Sequence, residues 1–233
     1  MSKLKFLTSM KLWIVMGVVG FGLFRLAPVT QKSPFWFIEI ILFVIFISGL
    51  WINRNGAFYR FFHCIQGSKL LYVLLSWTTA MIIELTISNS PGNIGGLHEK
   101  TIPSFILAQG FYWFFAIFGL FLIRRFHYSL NDLYLASIAA AMTEGIVFNQ
   151  VILSLIPSPM VVIAPFIIGY YGLVYGIILC LPFLIINPQS LWNNKEANAG
   201  LFRKIVYGFF MAFVAYLLFV GWASLVSSIF KWI

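Results

Sequence analysis

The chain has 233 residues, of which 61% are hydrophobic and only 9% charged. A soluble domain carries about a quarter of its residues as charged side chains, so six acidic and fifteen basic groups are too few to cover this one, and much of its surface is expected to face lipid. The formal charge of +9 does not point to nucleic acid. Basic residues in a membrane protein gather at the cytoplasmic ends of its spans, so the bilayer is the expected partner.

A helix crossing the hydrocarbon core needs about 20 mostly apolar residues. Taken in chain order, such stretches run over residues 12–26, 34–52, 70–87, 102–123, 130–155, 160–186 and 205–230. The first is short and follows Lys3, Lys5 and Lys11, as the apolar part of a signal peptide would. No small-x-small cleavage site follows it, and Arg25 interrupts the position where one would fall, so it is read as a retained span. The fold expected is all-α: a polytopic transmembrane bundle of about seven spans, forming a single domain over 1–233, with its N-terminus in the cytoplasm.

Charge placement supports that count. With the N-terminus inside, Lys3, Lys5, Lys11, Arg54, Arg60, Lys69, Arg124, Arg125, Lys195, Arg203 and Lys204 fall on the inner side. Arg25, Lys32, Lys100 and Lys231 fall outside, a division of eleven to four that follows the positive-inside rule. Punctuation agrees. Pro34 suits the first turn of the second span, where its missing N–H is harmless. Ser129 and Asp132 have capping-box spacing ahead of the fifth. Pro157 and Pro159 mark a tight outer turn, and Pro165 and Pro182 are expected to kink the sixth span. The segment 53–67 mixes aromatic and basic residues and reads as a short interfacial helix. The compartment expected is a prokaryotic cytoplasmic membrane.

Three of the six acidic residues, Glu39, Glu84 and Glu144, fall inside predicted spans. A carboxylate there costs several kcal/mol unless it is paired, protonated or hydrated. At 1.5 Å per residue, Glu39 lies roughly 7 Å, Glu84 about 5 Å, Gln109 about 10 Å and Glu144 about 15 Å below the outer boundary. The glycine-rich segment bearing His98 and Glu99 follows the third span on that outer side. Together they suggest a polar pocket open outward, binding a proton, a cation or a small substrate. Glu39 and Glu84 lie shallow enough for solvation, with Lys32, Arg25 or Lys100 as partners. Glu144 is too deep for that and is the leading candidate.

Small residues Ser137, Ala141 and Gly145 recur every fourth position and make the fifth span a central one. Gly172 and Gly176 share that spacing on the sixth, with Tyr170, Tyr171 and Tyr175 nearby, whose hydroxyls could bond Glu144 or a substrate; Tyr171 and Tyr175 are the candidates carried forward. These small-residue faces could also hold a protein partner or a second copy of the chain. Two cysteines and three histidines are too few for a structural zinc site or a histidine-rich di-iron site. The chain contains no GxGxxG, P-loop, HExxH or GxSxG pattern, and the seventh span lacks an interior lysine for a retinal Schiff base. No metal or cofactor is therefore expected. Three functions fit: a proton- or cation-coupled transporter or binding protein, a non-catalytic subunit or assembly factor of a membrane complex, and a membrane-embedded enzyme acting on a lipid or isoprenoid.

Overall fold

The computed structural model of the chain describes residues 9–26, 36–54, 68–87, 102–143, 145–146, 159–186 and 201–230. The described residues are helical throughout, apart from short connections, and contain no strand. Among the described residues seven α-helices follow in chain order: α1 (Met10–Leu26), α2 (Trp36–Arg54), α3 (Lys69–Ile87), α4 (Ile102–Phe126), α5 (Leu130–Thr143), α6 (Ala164–Ile185) and α7 (Leu201–Phe230). Among the described residues, Val161–Ile185 and Ile205–Val226 are long and apolar enough to cross a membrane.

Side-chain chemistry sets the helix ends. Ser68 caps α3, its Oγ accepting the Leu71 N–H at 3.1 Å. The capping box before α5 forms: the Ser129 N–H donates to Asp132 Oδ2 at 3.0 Å, and the Asp132 N–H donates back to Ser129 Oγ at 3.3 Å. His127, at φ 49°, takes the left-handed conformation that stops α4. The chain then turns through Tyr128 and Ser129 into α5. Burial holds the Tyr128 phenol above its usual pKa, and the nearby Asp132 carboxylate and Tyr207 add to the shift.

Pro165 does not kink a helix. A 3-10 turn, Pro159–Ile163, precedes α6, so Pro165 falls in the first turn of α6, where no hydrogen bond is lost. Pro182 does lie inside α6. Three residues before it, the Leu179 carbonyl accepts the hydroxyl of the fully buried Tyr72 at 3.0 Å. Gly119 leaves room for that hydroxyl, which lies 3.3 Å from where a Cβ would stand.

The centre of the bundle is α6, not the fifth helix alone. Four directions around α6 are filled by different neighbours. Gly169 meets Met16 and Gly17 of α1, and Tyr170 meets Glu39 of α2. Tyr175 lies against Phe115 of α4, with ring centroids 4.9 Å apart, and Gly172 and Gly176 meet Ile138 and Tyr134 of α5. The small residues of the sixth helix are thus used inside the chain. Every residue from Leu133 to Ala141 on α5 is buried as well, because α7 covers its other face, with Gly208 against Ala136 and Ala139. A helix surrounded on all sides must be apolar all round, which the sequence of α6 satisfies.

The helix directions alternate. The Met10 N–H at the start of α1 donates to Asn131 Oδ1 at the start of α5, at 3.3 Å. Cys180, late in α6, reaches the Leu130 carbonyl at 3.9 Å. Trp77 and Trp113 stack at 5.4 Å where α3 and α4 run opposite ways, and Phe126 at the end of α4 stacks at 4.3 Å on Tyr207 near the start of α7. The starts of α1, α3, α5 and α7 and the ends of α2, α4 and α6 therefore share one end of the bundle. Of the basic positions among the described residues, Lys11, Arg54, Lys69, Arg124, Arg125, Arg203 and Lys204 fall at that end, and Arg25, in the last turn of α1, falls at the other. Around the perimeter the surface is apolar: Val15, Val19, Ile41, Val44, Phe121, Phe210, Leu217 and Leu225 are among the large side chains left exposed.

Candidate functional site: a buried carboxylate and phenol

Glu39 lies in the first turn of α2 and has no solvent exposure. The Tyr170 hydroxyl, in the second turn of α6, donates to its Oε1 at 2.7 Å. Because α2 and α6 run in the same direction, residues a similar number of steps from their starts sit at similar depth, and this brings the pair together. The first-turn position also gives the carboxylate the partial positive charge of the α2 N-terminus. Its immediate surroundings are aromatic. Phe21 of α1 meets Phe43 of α2 edge-on at 5.0 Å and lies 6.2 Å from the Tyr170 ring. Tyr171 lies 5.7 Å from Tyr170 on the other side.

Glu39 is therefore not the shallow, solvated residue that its depth suggested. Depth along a helix says nothing of azimuth, and here α2 turns the carboxylate inward, towards α6. A carboxyl group in such a place has few chemical options. It can exchange a proton, coordinate a cation that displaces the phenol hydrogen, or hydrogen-bond a donor on a small molecule. A phenol can serve such a group both as donor and, after a ring or hydroxyl rotation, as acceptor.

The other candidates are distributed as follows. Tyr171 borders the site and is half-buried. Tyr175 is buried on a different face of α6, among Phe111 and Phe115 of α4, away from Glu39. The backbone of Glu84 lies in the last turn of α3 and that of Gln109 in the second turn of α4, while their side chains lie outside the described set. Glu144, His98 and Glu99 lie outside the described residues. Within the described set, no three His, Cys, Asp or Glu side chains gather as ligands of a metal would.

No family model, curated protein or solved structure matches this chain. Sequence reasoning noted Tyr170 among the tyrosines of the sixth span, as a possible partner of Glu144, but carried only Tyr171 and Tyr175 forward and did not pair Tyr170 with Glu39. The signal that could have paired them is depth matching: Glu39 and Tyr170 lie at comparable distances into two helices predicted to descend from the same face. A second polar cluster, where Tyr72, Tyr134 and Cys180 are buried between α3, α5 and α6, also went unseen. Tyr72 and Cys180 reach backbone carbonyls of α6 and α5, while the Tyr134 hydroxyl is buried without a hydrogen-bond partner among the described residues.

Proposed function

We propose that the chain is a seven-span membrane protein with a cytoplasmic N-terminus, which binds a cation, a proton or a small cationic substrate at Glu39 and transports it. The exposed apolar perimeter, the alternating helix directions and the gathering of basic side chains at one end all support the seven-span arrangement. The observation that carries the functional part is the Glu39 carboxyl, fully enclosed in the first turn of α2 with the Tyr170 phenol as a donor to it. Buried ionisable groups in spans are expensive to keep and commonly mark ion or proton paths. The aromatic rings of Phe21, Phe43 and Tyr171 suit a positively charged occupant. Glu144, one or two turns deeper by sequence, would be the next station on such a path.

The test is reconstitution into liposomes loaded with a pH-sensitive dye. Imposed sodium, potassium or small-amine gradients should drive proton movement in wild-type vesicles, and Glu39→Gln should abolish it while leaving reconstitution efficiency unchanged. Equal responses from the two proteins would remove Glu39 from any coupling role.

One observation favours a second reading, that of a non-catalytic subunit. α7 contacts α4 and α5 along one side and leaves Phe202, Phe210, Phe213, Leu217 and Leu225 exposed along the other. That long apolar strip suits a neighbouring membrane helix as well as it suits lipid. Purification in mild detergent distinguishes the two: a fixed stoichiometry with another protein favours the subunit reading.

A further inference from the structure

α4 carries an open cavity of about 350 Å³ whose described walls are Ile117, Leu120, Phe121, Arg124 and Arg125. These positions recur at three- and four-residue spacing, so they form one stripe along the helix. The stripe changes character along its length. Ile117 and Phe121 are large, exposed and apolar, whereas the two guanidinium groups follow within the next turn, at the end of the bundle where most of the other basic positions lie. Arg125 is exposed, and its guanidinium carbon lies 5.7 Å from the Phe126 ring centroid. Phe126 is itself stacked on Tyr207 of α7. The ring thus gives the guanidinium a fixed platform and limits its wandering, while its N–H groups stay available at the edge.

We propose that this stripe is a binding site for an anionic phospholipid of the cytoplasmic leaflet, with the headgroup phosphate on Arg124 and Arg125 and an acyl chain along Ile117, Leu120 and Phe121. The inference rests on the membrane part of the proposed function and is independent of Glu39. Three features commit it to a lipid. The positive charge here comes from side chains and not from the backbone, because a helix C-terminus presents carbonyls that repel anions. Arginine pairs with phosphate oxygens through two parallel N–H bonds, which fits a phosphodiester. The apolar wall extends from the charged end towards the bilayer centre, which a soluble anion would leave uncovered. Basic pockets on the cytoplasmic side of helical bundles bind anionic headgroups for these reasons.

The full chain, purified in detergent, should be titrated with phosphatidylglycerol and with phosphatidylcholine of identical acyl chains, and bound lipid counted by native mass spectrometry. Phosphatidylglycerol should bind at least about tenfold more tightly. Each arginine near a membrane surface contributes a factor of about five, so Arg125→Gln should weaken phosphatidylglycerol about five-fold and the double Arg124→Gln, Arg125→Gln variant about thirty-fold. Phosphatidylcholine binding should be unchanged in both. Arg203→Gln, at the same end of the bundle but on α7, should alter phosphatidylglycerol binding less than about twofold. Millimolar glycerol phosphate should not displace the lipid. Equal binding of the two lipids, an Arg203 effect as large as that of Arg125, or displacement by glycerol phosphate would each overturn the proposal. Arg125 is exposed, so the single variant remains informative if the double variant folds poorly. Release of the chain from membranes by carbonate, without detergent, would instead defeat the membrane reading itself.

Discussion

The crossing of α1 over α6 allows the packing argument to be tested at single-atom resolution. A Cβ added to Gly169 would lie 2.7 Å from the Gly17 amide nitrogen and 2.8 Å from the carbonyl carbon and Cβ of Met16. A Cβ at Gly17 would in turn lie 2.6 Å from the Gly169 carbonyl oxygen and 2.9 Å from Leu173 Cβ. Ordinary contact begins near 3.4 Å, and nearly all of these neighbours are backbone atoms or Cβ atoms that cannot swing aside. To accept one methyl group α1 must retreat by several tenths of an ångström. A gap of 0.5–1 Å forfeits about a quarter to a half of each dispersion contact along the crossing. The cost should fall at the upper end of the overpacking range, about 2–3 kcal/mol. Gly22, on the same helix, has nothing within 4 Å of its Cβ position. Gly22→Ala should therefore stabilise by about 0.4–1 kcal/mol, through loss of unfolded-state freedom and better helix propensity. Gly172→Ala belongs between the two, because its clash is with the terminal methyl group of Ile138; Ile138→Val should recover part of the loss. In detergent, a loss of 2–3 kcal/mol should lower the midpoint of thermal unfolding by about 4–12 °C for a chain of this size. An unchanged midpoint for Gly169→Ala, or a larger loss for Gly22→Ala than for Gly169→Ala, would refute the close α1–α6 approach and with it the position assigned to Tyr170.

Tyr170→Phe deletes the donor to the enclosed Glu39 carboxyl and should cost about 1–3 kcal/mol, while Glu39→Gln in the Tyr170→Phe background should recover stability; a double-mutant cycle followed by thermal unfolding reads the coupling. Cysteines placed at Lys69 and Arg203 should react with an impermeant maleimide only from the cytoplasmic side of intact cells, and one at Leu97 only from the outside; the reverse pattern would invert the topology, and a mixed one would break the seven-span count. The native Tyr128 phenol titrates above its usual pKa, so the native state holds a proton that the unfolded chain releases near pH 10. Its contribution is complete below that pH and falls as pH rises above it. Tyr128→Phe should consequently lose less stability than wild type between pH 9 and pH 11, measured by chemical denaturation in detergent.

The sequence by itself determined the helical class and the approximate positions of the helices among the described residues. These follow from local quantities: runs of apolar residues, capping residues such as Ser129 and Asp132, and prolines whose missing N–H must go somewhere. Each acts within one or two turns, so each can be read without knowing what lies opposite. The expectation for Pro165 failed at that same local level, since a 3-10 turn moved the start of the helix and placed the proline where it does no harm. The packing order was different. Small residues on the fifth and sixth helices announced close contact but not its partner, and only the tertiary structure put α6 at the centre with Gly169 against α1 and Gly172 and Gly176 against α5. The candidate site needed more still. That Glu39 is acidic and lies near the start of its helix was legible from composition and the 1.5 Å rise per residue. Whether it faces lipid, water or another helix depends on the rotation of α2 about its own axis, and that rotation is set by how α2 packs against α6 and α3. Tyr170, 131 positions further along the chain, acquires its partner only when that packing is complete.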